Sequence, residues 1–273
     1  MKDHSGKIHL SKIKIDSFQK GLRTRRFGRS ILFCNEVGST NEWAKELATF
    51  GAAEGTVAVA ETQTAGHGRL GREWFSPRGG LWFSVILRPK LVAREATELV
   101  FTAGLAVAEA LQRLYGLRVE TKWPNDIMVN GRKVCGILAE MNTTDEAINY
   151  FIVGIGVNAN FEVENCFPPE FATSATSLKA EVGKEVNVEE LFRALIEELE
   201  GAYDLFNEKG SESILAEWKK YAVFLGRDVE VRVGTGTWRG VAVNVDDDGS
   251  LMVKLEDGKV KHVYDGDVSL KSS

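Results

Sequence analysis

The stretch Gly66-His67-Gly68-Arg69-Leu70-Gly71-Arg72-Glu73-Trp74 concentrates residue types that hold anions. Glycines let backbone N–H groups approach an anionic ligand closely. Arginines grip carboxylate and phosphate with paired hydrogen bonds. A tryptophan can stack on a flat base or cover apolar ligand atoms. Gly66, Gly68 and Gly71 also satisfy Gly-x-Gly-x-x-Gly, which invites a dinucleotide-binding reading. A Rossmann loop must open directly into a helix. Here Pro77, Gly79 and Gly80 follow, with no acidic residue at the expected downstream spacing, so that reading fails. The segment also reads as an arginine-decorated surface loop. Long irregular segments inside compact domains are more often functional than idle, which favours a site.

Two further clusters carry chemistry. Lys122-Trp123-Pro124-Asn125-Asp126 is followed across a short hairpin by Arg132-Lys133, which brings three cations and a carboxylate within twelve residues. The first group also reads as a plain strand–turn–strand connection, with Pro for the turn and Asp as a local cap. Gly154-Ile155-Gly156-Val157-Asn158 resembles a strand end whose glycines admit a ligand, or a neighbouring helix, beside the backbone.

The elements that must position these residues follow from periodicity. Trp43, Ala44, Leu47 and Ala48 share one helical face, and Ser39 with Glu42 fits a capping box at its start. Thr56–Glu61 and Leu81–Arg88 read as strands on either side of an irregular loop over 63–80. Ala93–Tyr115 has apolar residues at helical spacing and stops at Gly116. Strands are predicted at Leu117–Thr121, Asp126–Val129, Lys133–Met141 and Tyr150–Val157, with Asn130-Gly131 as a two-residue hairpin turn. Helices follow at Val188–Phe206 and Ser213–Tyr221. After Gly226, short strands at Val229–Val233, Thr237–Val243, Leu251–Leu255 and Val260–Val263 suggest a small SH3-like barrel. The fold class is α/β (α+β), a mixed or antiparallel sheet covered by helices. Three parts are expected: a basic arm or linker over 1–28, a catalytic body over 29–224 and a barrel domain over 225–273.

Composition excludes several classes. The 273 residues are 44% hydrophobic and 27% charged, which is globular rather than disordered or fibrous. No run of 18 apolar residues exists to span a bilayer, and the charged N-terminus has no secretory core. Three cysteines without a Cys-x-x-Cys pair argue against a disulfide framework and for a reducing cytoplasm. Four scattered histidines with no His-Glu-x-x-His predict no metal held by the protein itself. Residues 1–30 carry +7 and the rest −12. We read the arm as a solvated leader, too short for a winged helix, and the acidic remainder as no DNA-binding surface.

Taken together, these segments resemble the biotin–protein ligase family. The glycine loop matches its Gly-Arg-Gly-Arg-x-Gly-Arg-x-Trp, Ser39-Thr40-Asn41 its Ser-Thr-Asn, and residues 122–126 its Lys-Trp-Pro-Asn-Asp. Arg132-Lys133-Val134-Cys135-Gly136-Ile137-Leu138 and Gly154–Asn158 match two more motifs in family order. The resemblance covers about residues 22–270. One departure is His67, where many members have arginine, so a permanent charge is missing from the loop.

The resemblance implies a class II synthetase-like biotinyl/lipoyl ligase domain, here of the monofunctional type, and a two-step reaction. Biotin and ATP, the latter with Mg²⁺, give biotinyl-5′-AMP, and the biotinyl group then passes to a lysine of a biotin carboxyl carrier domain. Fixed cations must offset the repulsion between a carboxylate and the α-phosphate. Lys133 and Arg69 are assigned that role, supported by Arg72 and Lys122. The acceptor lysine must lose a proton, and only on the order of one amine in a thousand is neutral at pH 7. Asp126 is assigned as the carboxylate that takes it. By family correspondence Ser39, Thr40, Asn41 and Gln63 bind biotin with the backbone of Gly66, His67, Gly68 and Arg69, and with Lys133 and Gly136. Arg69, Arg72, Trp74, Lys133 and Asn158 lie on the nucleotide. The family often forms homodimers. A lipoate–protein ligase, and a ligand-sensing regulator without enzymatic activity, remain the competing readings.

Overall fold

The computed structural model describes residues 12–270. In chain order its elements are α1 (Lys12–Gln19), β1 (Ile31–Val37), α2 (Thr40–Thr49), β2 (Val57–Gln63), β3 (Leu81–Leu87), α3 (Glu98–Tyr115), β4 (Val119–Lys122), β5 (Asp126–Val129), β6 (Arg132–Thr144) and β7 (Ala147–Val157). Three short helices follow, α4 (Val163–Cys166), α5 (Pro169–Ala172) and α6 (Leu178–Val182), then α7 (Val188–Lys209) and α8 (Ser211–Lys219). The C-terminal part holds β8 (Asp228–Val233), β9 (Gly236–Val245), β10 (Leu251–Leu255), β11 (Val260–Val263) and β12 (Asp267–Leu270).

The seven-stranded sheet runs β1-β2-β3-β7-β6-β5-β4, parallel only between β1 and β2, so the sheet is mixed as expected. All seven residues of β3 are buried, which requires cover on both faces. Leu81, Phe83, Val85 and Leu87 join the main core with α3 and α7, while Ile86 packs under Trp43, Ala44 and Ala48 of α2. Trp82 and Ser84 share the α2 face, because side chains alternate along a strand. Asn130 and Gly131 both take left-handed φ values of 51° and 74°, as a tight hairpin between β5 and β6 needs.

The five C-terminal strands form one antiparallel sheet in the order β11-β10-β9-β8-β12. Its buried valines merge with the main core. The indole N–H of Trp123 donates to the Gly249 carbonyl at 2.9 Å, linking the β4–β5 turn to this sheet.

Several expectations need correction. Residues 12–28 are no solvated leader. Phe18 and Phe27 are buried, and Arg23 pairs with Glu197 of α7 at 3.0 Å. Glu200, buried on the same helix, accepts from the backbone N–H groups of Arg25, Arg26 and Phe27. Burial by itself would raise its pKa, but these three bonds outweigh burial and hold Glu200 below the usual carboxylate range. The arginines at 23, 25 and 26 thus lie against an acidic helix, while residues 1–11 of the expected arm lie outside the described residues. Strand β1 escaped prediction because it lacks the alternation of a half-buried strand, and β12 because four residues after a turn give little pattern. The 93–115 stretch is a 3₁₀ turn at Ala93–Glu95 followed by α3 from Glu98. Helix α2 does start after Ser39, but the Ser39 side chain makes no cap bond.

Candidate active site

The site lies on the α2 face of the sheet, and strand register builds its floor. Across neighbouring strands Trp82 stands opposite Gly156, Gly156 opposite Gly136, Gly136 opposite Asp126, and Asp126 opposite Lys122. Beside this row runs a second, Ser84–Gly154–Leu138. Trp74 folds back from the glycine loop onto this floor. A Cβ on Gly156 would stand 2.5 Å from the Trp74 indole nitrogen, and one on Gly136 would stand 2.9 Å from its ring. The paired glycines are therefore the seat of the indole.

A β-bulge brings Lys133 to the same face. Between Ile127 and Met128 the partner on β6 jumps from Cys135 to Lys133, so Val134 is an extra residue. Without it, alternation would point Lys133 away from Gly136 and into the core. With it, Lys133 Nζ reaches Asp126 Oδ1 at 2.6 Å and sits 4.9 Å from the centre of the Trp74 ring.

The loop over 63–80 is more ordered than a free loop. Gln63 bridges to Ser76 and His67 to Glu73, and a single 3₁₀ turn covers Arg69–Gly71. Arg69 donates to Asn125 at 3.2 Å and pairs with Asp265, while Arg72 holds Asp267 of β12 with both nitrogens. Burial in the cavity wall lowers the Arg69 pKa from its ordinary value, against the opposing pull of Asp267 and Asp126. The hydrogen bond from Arg72 holds the Asp267 carboxyl below its usual range. Both loop arginines are thus steered by carboxylates of the C-terminal part.

At the other end the neutral side chains of Thr40, Asn41, Gln63 and Ser84 form a polar cluster, with Glu140 at its margin. Gln63 Oε1 accepts from the Thr40 backbone N–H at 2.7 Å and from its hydroxyl at 3.1 Å. The Ser84 hydroxyl lies 2.8 Å from Thr40 Oγ1 and 2.6 Å from Asn41 Oδ1. The Asn41 amide donates to Glu140 at 2.7 Å. Burial would raise the pKa of Glu140, yet bonds from Lys45 and Asn41 bring it below the ordinary value.

Between these ends is a cavity of about 560 Å³. Ser39, Thr40, Asn41, Gln63, His67, Gly68, Arg69, Arg72, Trp74, Lys122, Asp126, Lys133, Gly136 and Asn158 all line it. Gly66 does not. Its Cβ would lie 2.5 Å from the Trp74 carbonyl, so it is needed for the loop to close on itself. Arg78 pairs with Glu61 outside the cavity. Among the described residues the indole nitrogen of Trp74 and Oδ1 of buried Asn158 have no partner, leaving one donor and one acceptor on the wall. Of the carboxylates lining the cavity, Asp126 and Asp267 each sit against a cation, an arrangement that suits a metal brought in on a nucleotide.

Sequence reasoning missed Ser84, Glu140, Asp265 and Asp267, and gave Asn125 no role of its own within its motif. Ser84 had a signal, as the one polar residue in LWFSVIL. Asp265 and Asp267 had none, because their partners lie almost two hundred residues away.

Comparison with known proteins agrees with this geometry. Residues 35–158 match the biotin/lipoate A/B protein ligase family and residues 224–271 match the biotin protein ligase C terminal domain. The bifunctional ligase/repressor BirA of Bacillus subtilis is 35% identical over 266 residues, 97% of this chain and 80% of that protein. The biotin--[acetyl-CoA-carboxylase] ligase of Paracoccus denitrificans is 34% identical over 81% of this chain and 92% of its own length. The biotin protein ligase of Aquifex aeolicus, solved with biotin and ATP, superposes with a TM-score of 0.76 at 32% identity, covering 90% of this chain and all of that one. Among the described residues no helix is long and apolar enough to cross a membrane. On its motifs, its cavity and these relatives, the chain belongs to the biotin protein ligase family and is a ligase enzyme.

Proposed function

We propose that this chain condenses biotin with ATP to biotinyl-5′-AMP and pyrophosphate, then passes the biotinyl group to a lysine of a carboxylase biotin carrier domain. The single observation that carries this reading is the polarity of the cavity, with a neutral hydrogen-bonding cluster at one end and fixed cations at the other. Biotin has the matching polarity, an uncharged ureido head and a carboxylate tail. Lipoate has a dithiolane head that neither donates nor accepts such bonds, so it gains nothing from the cluster of Thr40, Asn41, Gln63 and Ser84, and a site built to hydrogen-bond a ligand discriminates against an analogue that cannot.

In the first step the biotin carboxylate attacks the α-phosphorus of ATP and pyrophosphate leaves. Lys133 and Arg69 offset the charge of the two anions, Arg72 and Lys122 add to the field, and Mg²⁺ enters as part of the nucleotide substrate. Trp74 and Asn158 offer the adenylate one donor, one acceptor and an aromatic face. Ser39 joins the biotin end, its hydroxyl being free of a cap bond. In the second step the carrier lysine attacks the acyl carbon, AMP leaves, and Asp126 takes the ammonium proton.

The test is pyrophosphate exchange into ATP, followed by mass measurement of an incubated carrier domain. Exchange should depend on biotin and ignore lipoate, and Lys133→Ala should abolish most of it. Exchange driven by lipoate, or normal adenylate formation in the Lys133 variant, overturns the assignment.

A further inference from the structure

His67, Glu42 and Glu140 lie far apart in the chain, yet the fold gathers them beside the Thr40–Asn41 end of the cavity. His67 Nε2 is 3.7 Å from Glu42 Oε1 and 3.7 Å from Glu140 Oε2. One donor atom from each residue fits within 4.8 Å of the other two. A tetrahedral zinc ion with arms of about 2.0–2.1 Å holds its donors about 3.3 Å apart. Closing the set therefore takes a few tenths of an ångström about His67 and no more than about 1.5 Å between the two carboxylates.

We propose that His67, Glu42 and Glu140 form a site for a divalent ion of the zinc class, one that ties the glycine loop to α2 and β6. The surroundings suit such a site. His67 Nδ1 lies 3.4 Å from the Ala65 carbonyl, which orients the ring so that Nε2 is the nitrogen turned toward both carboxylates. Asn41 donates to Glu140 Oε2 at 2.7 Å and orients it. Lys45 Nζ, 2.6 Å from Glu140 and 2.7 Å from Glu42, already occupies the place where these carboxylates gather positive charge. It rides on a flexible stem with a route to solvent, and an ion taking both carboxylates displaces it. Imidazole with two carboxylates suits zinc, whereas Mg²⁺ prefers an all-oxygen octahedron with several waters, so this site is distinct from nucleotide metal. The inference stands whether or not the biotin reading does.

Calorimetric titration of the whole chain with zinc chloride in a non-chelating buffer tests it. One ion should bind per chain and should survive an excess of Mg²⁺. Glu42, with its side chain 56% exposed, can change without harm to folding. Glu42→Gln should weaken uptake at least about tenfold, the scale on which coordination shells respond. His67→Arg should abolish it. Lys45→Met removes the competing ammonium while keeping most of its stem, and should tighten binding several-fold. No saturable uptake by the parent chain, uptake unchanged in the Glu42 or His67 variants, or no gain in the Lys45 variant overturns the proposal.

Discussion

Replacing Asp126 with asparagine should separate the two half-reactions. The substitution keeps the shape and one acceptor oxygen but removes the charge now 2.6 Å from Lys133. Adenylation takes no proton from biotin, whose carboxylate is already ionised. The variant also leaves Lys133 without its counter-ion, which makes the cavity more positive toward two anionic substrates. Biotinyl-AMP formation should therefore change less than about tenfold. Transfer is different, because the attacking amine is neutral in only on the order of one molecule in a thousand at pH 7. A positioned base contributes typically about 10²–10⁴-fold. Transfer should slow by about that factor, equivalent to about 3–5 kcal/mol of barrier. The assay is single-turnover transfer of preformed biotinyl-AMP to a carrier domain, set beside pyrophosphate exchange. With the base gone, the variant's transfer rate should climb about tenfold per pH unit toward the amine's own pKa near 10.4, while the parent shows a flatter profile. Equal loss in both half-reactions, or identical pH profiles, would show that Asp126 shapes the pocket and moves no proton.

Three other outcomes follow from the packing. Gly156→Ala puts a methyl 2.5 Å from the Trp74 indole nitrogen and lifts the ring off its seat; adenylation kcat/KM should fall at least tenfold while stability changes by about 1–3 kcal/mol, read by Trp fluorescence and thermal melting. Glu200→Ala strands the N–H groups of Arg25, Arg26 and Phe27 and should destabilise the chain by about 3 kcal/mol in urea. Because its folded pKa is depressed, the stability Glu200 adds is present above the ordinary glutamate pKa and fades as pH falls through the lower folded value, so the parent and variant melting curves should converge in acid. Trp123→Phe removes the bond to the Gly249 carbonyl and should cost about 1–2 kcal/mol, seen as faster hydrogen exchange in residues 246–252 with little change at the glycine loop.

Local chemistry was plain in the sequence wherever a motif is also a structural unit. Asn130-Gly131 could only be a tight turn, Gly116 could only end α3, and the order of the motifs sufficed to mark which segments would meet. The loop's glycines and arginines raised the expectation of an anion site for the same reason, since such chemistry depends on residue type more than on surroundings. Other features depended on partners that no short window contains. The solvated reading of residues 12–28 failed because the acidic face of α7 lies far downstream, and no local pattern reveals a docked charge. Lys133 was chosen by motif, but only the extra residue Val134 turns it toward Asp126. Asp265 and Asp267 reach Arg69 and Arg72 across the whole length of the body. Side-chain alternation, hydrogen bonding and turn preference act over a few residues and are written in sequence order. Parity across a bulge, and the pairing of distant charges, come into being only when strands register and the core closes.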